Sequence, residues 1–175
     1  MLSRVPLVSQ LQAKLPARLA QWAPQFVAAE VCYRVPAELL AAVCDRESGG
    51  GEYLKPKGPA GTGDRGNGHG LMQIDGRHHR SFLLARFDDD SYVWAEPTFN
   101  VMRGARLLAR NYDRLAWWPG AIAAYNAGLT RVRDALHGVD ETNTVARMAA
   151  VDSVTTGKDY SSDVLRRMAQ FGGTV

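Results

Sequence analysis

The chain has 175 residues, 46% of them hydrophobic and 22% charged, which suits one globular domain able to bury a real core. A net charge of +3 draws it toward anionic polymers such as nucleic acid, membrane surfaces or cell wall without choosing among them. Its two cysteines, Cys32 and Cys44, are too few for the disulfide framework of a small secreted protein and lack the paired spacing of a zinc site, and no segment approaches the roughly 20 apolar residues that span a bilayer.

Met1-Leu2-Ser3-Arg4-Val5-Pro6 leads into a polar stretch with Gln10, Gln12, Lys14 and Arg18 and holds no unbroken apolar run, so no signal peptide is expected. From Pro6 to Tyr33, apolar residues at helical spacing are interrupted by Pro16 and Pro24, which suit helix starts and predict two or three short helices. Pro36 opens a helix that is apolar nearly all round through Leu39, Leu40, Ala41, Ala42 and Val43, and Ser48 with Gly49 to Gly51 ends it. Cys32 and Cys44 flank Val35-Pro36. A bridge is geometrically open to them, and two reduced core thiols are the preferred reading.

Glycines crowd the stretch between Asp45 and Gln73, with a strand expected at Leu71 to Ile74, so a small β-hairpin or sheet belongs there. From Glu96 the pattern is helical again. Val101, Met102, Ala105, Leu108, Ala109, Tyr112 and Leu115 form one stripe, and Arg103, Arg106, Arg110 and Arg114 form a basic outer face. Pro119 starts a short buried helix ended by Gly128; Thr130 caps another, through Leu136, ended by Gly138. A last helix runs from Ser161 or Ser162 to Phe171. The predicted class is α+β, predominantly α, with a small β element beside a bundle of helices.

Glu47 falls in the last turn of the apolar helix, where the negative end of the helix dipole and desolvation both push a carboxyl pKa upward. A carboxylic acid that keeps its proton near neutrality is what a general acid requires. Taken alone, Glu47 reads better as an ordinary helix-end glutamate paired with Arg46 or a neighbouring cation. Asp64 and Asp75 flank a segment in which Gly66, Gly68 and Gly70 open the backbone to a bulky polymer. Either aspartate alone is a turn former. One proton donor beside two water-holding carboxylates around one glycine-rich β element is the equipment of a glycosidase. Gln73 faces away from the packed residues if Met72 and Ile74 point inward.

Arg46-Glu47-Ser48, Gly63-Asp64-Arg65-Gly66-Asn67-Gly68 leading into Gly70-Leu71-Met72-Gln73-Ile74-Asp75, Ala124-Tyr125-Asn126-Ala127-Gly128, and Asp159-Tyr160 together closely resemble goose-type lysozymes and the related soluble lytic transglycosylases. The resemblance covers roughly residues 35 to 171. It implies a single lysozyme-like catalytic domain, with residues 1–34 an N-terminal helical segment and 35–175 the catalytic core. It further implies cleavage of the β-1,4 bond between N-acetylmuramic acid and N-acetylglucosamine in peptidoglycan. On that footing Glu47 is the catalytic acid, Asp64 and Asp75 orient the attacking water, and Gln73, Tyr125, Asn126, Tyr160 and His79 contact the glycan. Lytic transglycosylases use one essential glutamate, give 1,6-anhydro products and typically lack the aspartate pair, so its presence favours hydrolysis. The stretch Gly51 to Ala60 is longer than in the animal enzymes, and the cysteine-rich extension of those enzymes is missing.

No metal or other cofactor is expected, since His69, His78 and His79 show neither a helical His-x-x-x-Glu signature nor a cysteine partner. The arginine face lacks a nucleic-acid-binding motif and reads as a solvated surface. The alternative of another class is a non-catalytic peptidoglycan-binding module, which would have no need of a buried acid. The expected partner is the peptidoglycan glycan strand, with no nucleic acid and no membrane span, for a monomer that can be matched by a cognate immunity or inhibitor protein. Synthesis in the cytoplasm and action on the wall after release or non-classical export complete the expectation.

Overall fold

Prolines divide the N-terminal stretch into three helices, as the spacing predicts: α1 (Val8–Lys14), α2 (Ala17–Ala20) with Pro16 at its N-cap, and α3 (Ala23–Tyr33) with Pro24 in its first turn. The structure is a computed structural model and describes residues 7–175; the reading of Met1 to Pro6 lies outside the described residues. The fold is α+β and predominantly helical, lysozyme-like, with a small antiparallel sheet. The chain divides into two compact units, Met1–Ala105 and Arg106–Val175.

In the first unit, α4 (Ala37–Ser48) packs on α3 and α2. Leu11, Leu19, Phe26, Leu39 and Leu40 are fully buried there, each contributing roughly 1.5–3 kcal/mol relative to exposure. Three polar contacts fix the helix that carries Glu47. The Arg18 guanidinium donates to Asp45 Oδ1 through Nε (2.9 Å) and Nη2 (2.8 Å), Trp22 Nε1 donates to Gly50 O (2.9 Å), and the Ala37 amide donates to Glu30 Oε2 (3.1 Å). Burial pushes the Glu30 carboxyl up, a change opposed by that amide bond. The helix ends where predicted, because Gly49 adopts φ 58° and a Cβ there would lie 2.6 Å from the Tyr53 ring.

Three two-residue strands follow: β1 (Thr62–Gly63), β2 (Gly68–His69) and β3 (Ile74–Asp75). They form an antiparallel sheet in the order β1-β2-β3, pairing Thr62 with His69, Gly63 with Gly68, Gly68 with Asp75 and His69 with Ile74. The strand expected at Leu71 to Ile74 is corrected to Ile74–Asp75. Leu71 to Gln73 form a turn with Gln73 at φ 47°, so strand alternation does not apply and both Leu71 and Met72 are buried. Helix α5 (Arg80–Leu84), absent from the expectation, is a single short turn after His79.

Helix α6 (Pro97–Leu115) appears where its stripe predicts. Asn100, fully buried near its start, accepts from the Met72 amide (2.8 Å) and donates to His69 O (3.0 Å) and Trp94 O (3.0 Å), fastening the sheet turn. Arg106, Arg110 and Arg114 are exposed as expected. Arg103 is not: it is half-buried, drawn in by the His79 imidazole.

The second unit holds α7 (Trp118–Ala127), α8 (Leu129–Leu136), α9 (Thr144–Ser153) and α10 (Tyr160–Gln170). Ala123, Ala124, Val132 and Val151 form its core, the alanines of α7 allowing close helix approach. Helix α8 starts after Gly128 rather than from a Thr130 cap, and α10 starts at Tyr160, one residue before Ser161. The reason for the latter is Asp152, which is buried and accepts from the Ser161 amide (2.7 Å), the Ser162 amide (3.2 Å) and the Ser162 hydroxyl, capping α10 from a distance. Helix α9 was not anticipated; Asn143 caps it, accepting from the Ala146 amide at 2.9 Å.

Both cysteines are free thiols. Cys44 is in the core, but Cys32 is exposed beside Val31 on the solvent side of α3, which corrects the reading of two core thiols.

Candidate active site

Glu47 is half-buried in the last turn of α4, between the half-buried Arg46 and the fully buried Ser48. The Ser48 hydroxyl lies 2.7 Å from Leu71 O and 3.1 Å from Cys44 O, and accepts from the Gly51 amide at 3.2 Å. Having one proton, it serves the nearer Leu71 carbonyl best. The residue next to the acid therefore ties the end of α4 to the turn that leads into β3. Nearby, burial pushes the Cys44 thiol up to about 12, which keeps it un-ionised and removes it as a nucleophile.

Asp64 follows β1 and Asp75 ends β3, and the structure brings the two together through Arg77. The Arg77 guanidinium donates from Nε to Asp75 Oδ1 (2.9 Å) and Oδ2 (3.1 Å), and from Nη2 to Asp75 Oδ2 (2.7 Å) and Asp64 Oδ2 (3.4 Å). The Arg77 amide adds a bond to Asp75 Oδ1 at 2.8 Å. These Arg77 bonds and charge hold the Asp75 carboxyl below the usual carboxylate range against a smaller opposing effect of burial, and the His78 charge helps. Asp64 is reached by a left-handed backbone, φ 43° at Asp64 and 55° at Arg65, a conformation uncommon outside glycine.

Gln73 donates from Nε2 to Gly70 O (2.9 Å), and its amide lies over β1 and β2, where a Cβ on Gly63 or Gly68 would be 2.2 Å from Oε1. Glycine at those two positions is thus a matter of close approach. His79 stands at the N-cap of α5 and accepts at Nδ1 from Arg103 Nη2 (3.0 Å).

The remaining candidates belong to the second unit. Tyr125 is half-buried near the end of α7. Asn126 accepts at Oδ1 from the Thr156 amide (2.8 Å), and the amide of the buried Tyr160 donates to Thr155 Oγ1 (3.3 Å), so both attach to the segment before α10. A hollow of about 610 Å³ in this unit, lined by Val145, Met148, Ala149, Asp152 and Lys158 among others, contains none of the candidates. Among the described residues, no three His, Cys, Asp or Glu side chains gather as a metal site needs, and no helix is long and apolar enough to cross a membrane. Sequence reasoning missed Arg77, Asn100 and Asp152. An arginine two residues beyond Asp75 was the one local signal available; the partners of the other two are distant in sequence or in another element.

The family model for the transglycosylase SLT domain matches residues 25–147. The chain belongs to that family. The matched SLT residues run from α3 into α9 and include Glu47, Asp64, Gln73, Asp75, His79, Tyr125 and Asn126, while Tyr160 lies beyond them. Lysozyme g of Gallus gallus is 32% identical over 139 residues, covering 76% of this chain and 55% of that protein. Lysozyme g of Cyprinus carpio is 32% identical over 135 residues, covering 76% of this chain and 63% of its own length. Invasion protein IagB of Salmonella typhimurium (strain SL1344) is 28% identical over 112 residues, 64% of this chain and 67% of that protein. This SLT chain thus spans between 55% and 63% of the length of those two lysozyme g relatives.

Proposed function

We propose that this SLT-family chain is a peptidoglycan hydrolase that cleaves the β-1,4 bond between N-acetylmuramic acid and N-acetylglucosamine. Glu47 is the general acid: it gives its proton to the glycosidic oxygen as the bond from that oxygen to the sugar C1 breaks. Asp64 and Asp75 hold a water on the other face of the ring, and the water adds to C1 while its proton passes to a carboxylate. Such a single displacement inverts the anomeric centre. Gln73, His79, Tyr125, Asn126 and Tyr160 contact the glycan.

The observation that carries this reading is the Asp64–Arg77–Asp75 assembly at the sheet whose β3 follows the turn to which Ser48, the neighbour of Glu47, is hydrogen-bonded. One glutamate alone would serve a lytic transglycosylase equally well; a joined pair of carboxylates gives water a seat. The family's name and the lysozyme g relatives support action on the wall glycan in either form.

Glu47→Gln keeps the side-chain shape and removes the transferable proton. Release of fragments from purified peptidoglycan should fall by about 10²-fold or more, with the circular dichroism spectrum unchanged; near-normal release by this variant refutes the assignment. Mass spectrometry of the products then separates reducing ends, expected here, from 1,6-anhydro ends.

A further inference from the structure

We infer that Arg77 is a positioning residue that makes Asp64 and Asp75 work as a pair and sets the acid side of the pH dependence of the reaction. This inference rests on the hydrolase reading of the site. Asp64 and Asp75 come from opposite edges of the sheet, after β1 and at the end of β3, and the guanidinium of Arg77 reaches both. Its hold on Asp75 is a fork: Nε and Nη2 engage the two carboxylate oxygens, and the backbone amide of the same residue adds a third donor. A planar guanidinium fixes the plane of a carboxylate as a point charge does not. The longer bond to Asp64, 3.4 Å, reaches a more exposed carboxylate.

Without the arginine, two anionic groups would face each other, with the His78 charge still acting on Asp75. Like charges in one site push one carboxyl toward its protonated form. A protonated aspartate can no longer accept the proton of the attacking water, so the loss appears first at low pH. At Asp75 Oδ1 the amide and Nε of Arg77 take both acceptor positions, whereas Arg77 engages Asp64 through Oδ2 alone, so Asp64 keeps acceptor positions for a water.

The test compares Arg77→Met and Arg77→Lys with the unmodified chain on purified peptidoglycan across pH, with Glu47→Gln as control. Arg77→Met is expected to move the acid limb upward by about one pH unit or more, the effect an adjacent cation has on a carboxylate. The fall at a fixed pH on that limb should be roughly tenfold and lie in kcat rather than KM. Arg77→Lys keeps the charge but not the fork, and should restore the position of the limb while leaving kcat reduced. Independently of turnover, the carboxyl resonance of Asp75 should titrate at higher pH in Arg77→Met. If the acid limb and the Asp75 titration both stay where they are in Arg77→Met, the role of Arg77 is overturned. Activity retained by Glu47→Gln would instead bring down the hydrolase reading, while the Asp75 titration would still decide whether Arg77 governs that carboxyl.

Discussion

Replacing Asn100 by Asp probes the element that shapes the turn between β2 and β3. The carboxylate retains the acceptor for the Met72 amide, but it no longer donates to His69 O and Trp94 O, each 3.0 Å away. Two carbonyls lose their partner in a site where Asn100 is fully buried, at about 1–3 kcal/mol each, so a loss of about 2–6 kcal/mol is expected at neutral pH. That is a large share of the roughly 5–15 kcal/mol by which a domain is stable. An aspartic acid that keeps its proton can donate to one carbonyl, so folding favours the protonated form and raises the folded pKa above the unfolded one. Native protein then binds the proton more tightly than the unfolded chain does, and stability falls by about 1.4 kcal/mol per pH unit as pH rises from the unfolded to the folded pKa. Urea unfolding of both proteins at pH 5 and pH 7.5 measures this. A difference smaller than about 1 kcal/mol at pH 7.5, or one equal at both pH values, would refute the reasoning.

Gly68→Ala places a methyl 2.2 Å from Gln73 Oε1, so the amide must swing away and release Gly70 O. A loss of about 1 kcal/mol in urea unfolding, with a displaced Gln73 side-chain amide resonance, is expected; an unmoved resonance counts against the interlock. Glu30→Gln retains an acceptor for the Ala37 amide but removes a carboxyl whose folded pKa burial has raised. Native Glu30 thus costs stability as pH rises from the unfolded carboxylate value through the raised folded one, so the variant should gain on the unmodified chain between acid and neutral pH. Urea unfolding at both ends of that range gives the comparison, and a gap that ignores pH contradicts it.

Elements bounded by their own residues were legible in the sequence. Pro36 and Gly49 bracket α4 because a fixed φ suits a helix start and a left-handed residue suits its end, so the sequence alone puts Glu47 in a last turn. The turn at Leu71 to Gln73 was not legible: Gln73 takes a left-handed φ that local sequence does not announce, and Asn100, 28 residues from Met72, stabilises the turn. The start of α10 was misread for the same kind of reason, since its cap, Asp152, belongs to α9. Asp64 and Asp75 were visible as acids flanking glycines, whereas their joining through Arg77 depends on strand register. Arg103 satisfied the helical pattern of a solvated face and was drawn inward by His79, a contact between elements that periodicity does not encode.

The amide of Gln73 filling the space over Gly63 and Gly68 has an evolutionary corollary. Those three positions are expected to vary together, because a side chain gained on the floor of the sheet is accommodated best when the residue above it becomes smaller.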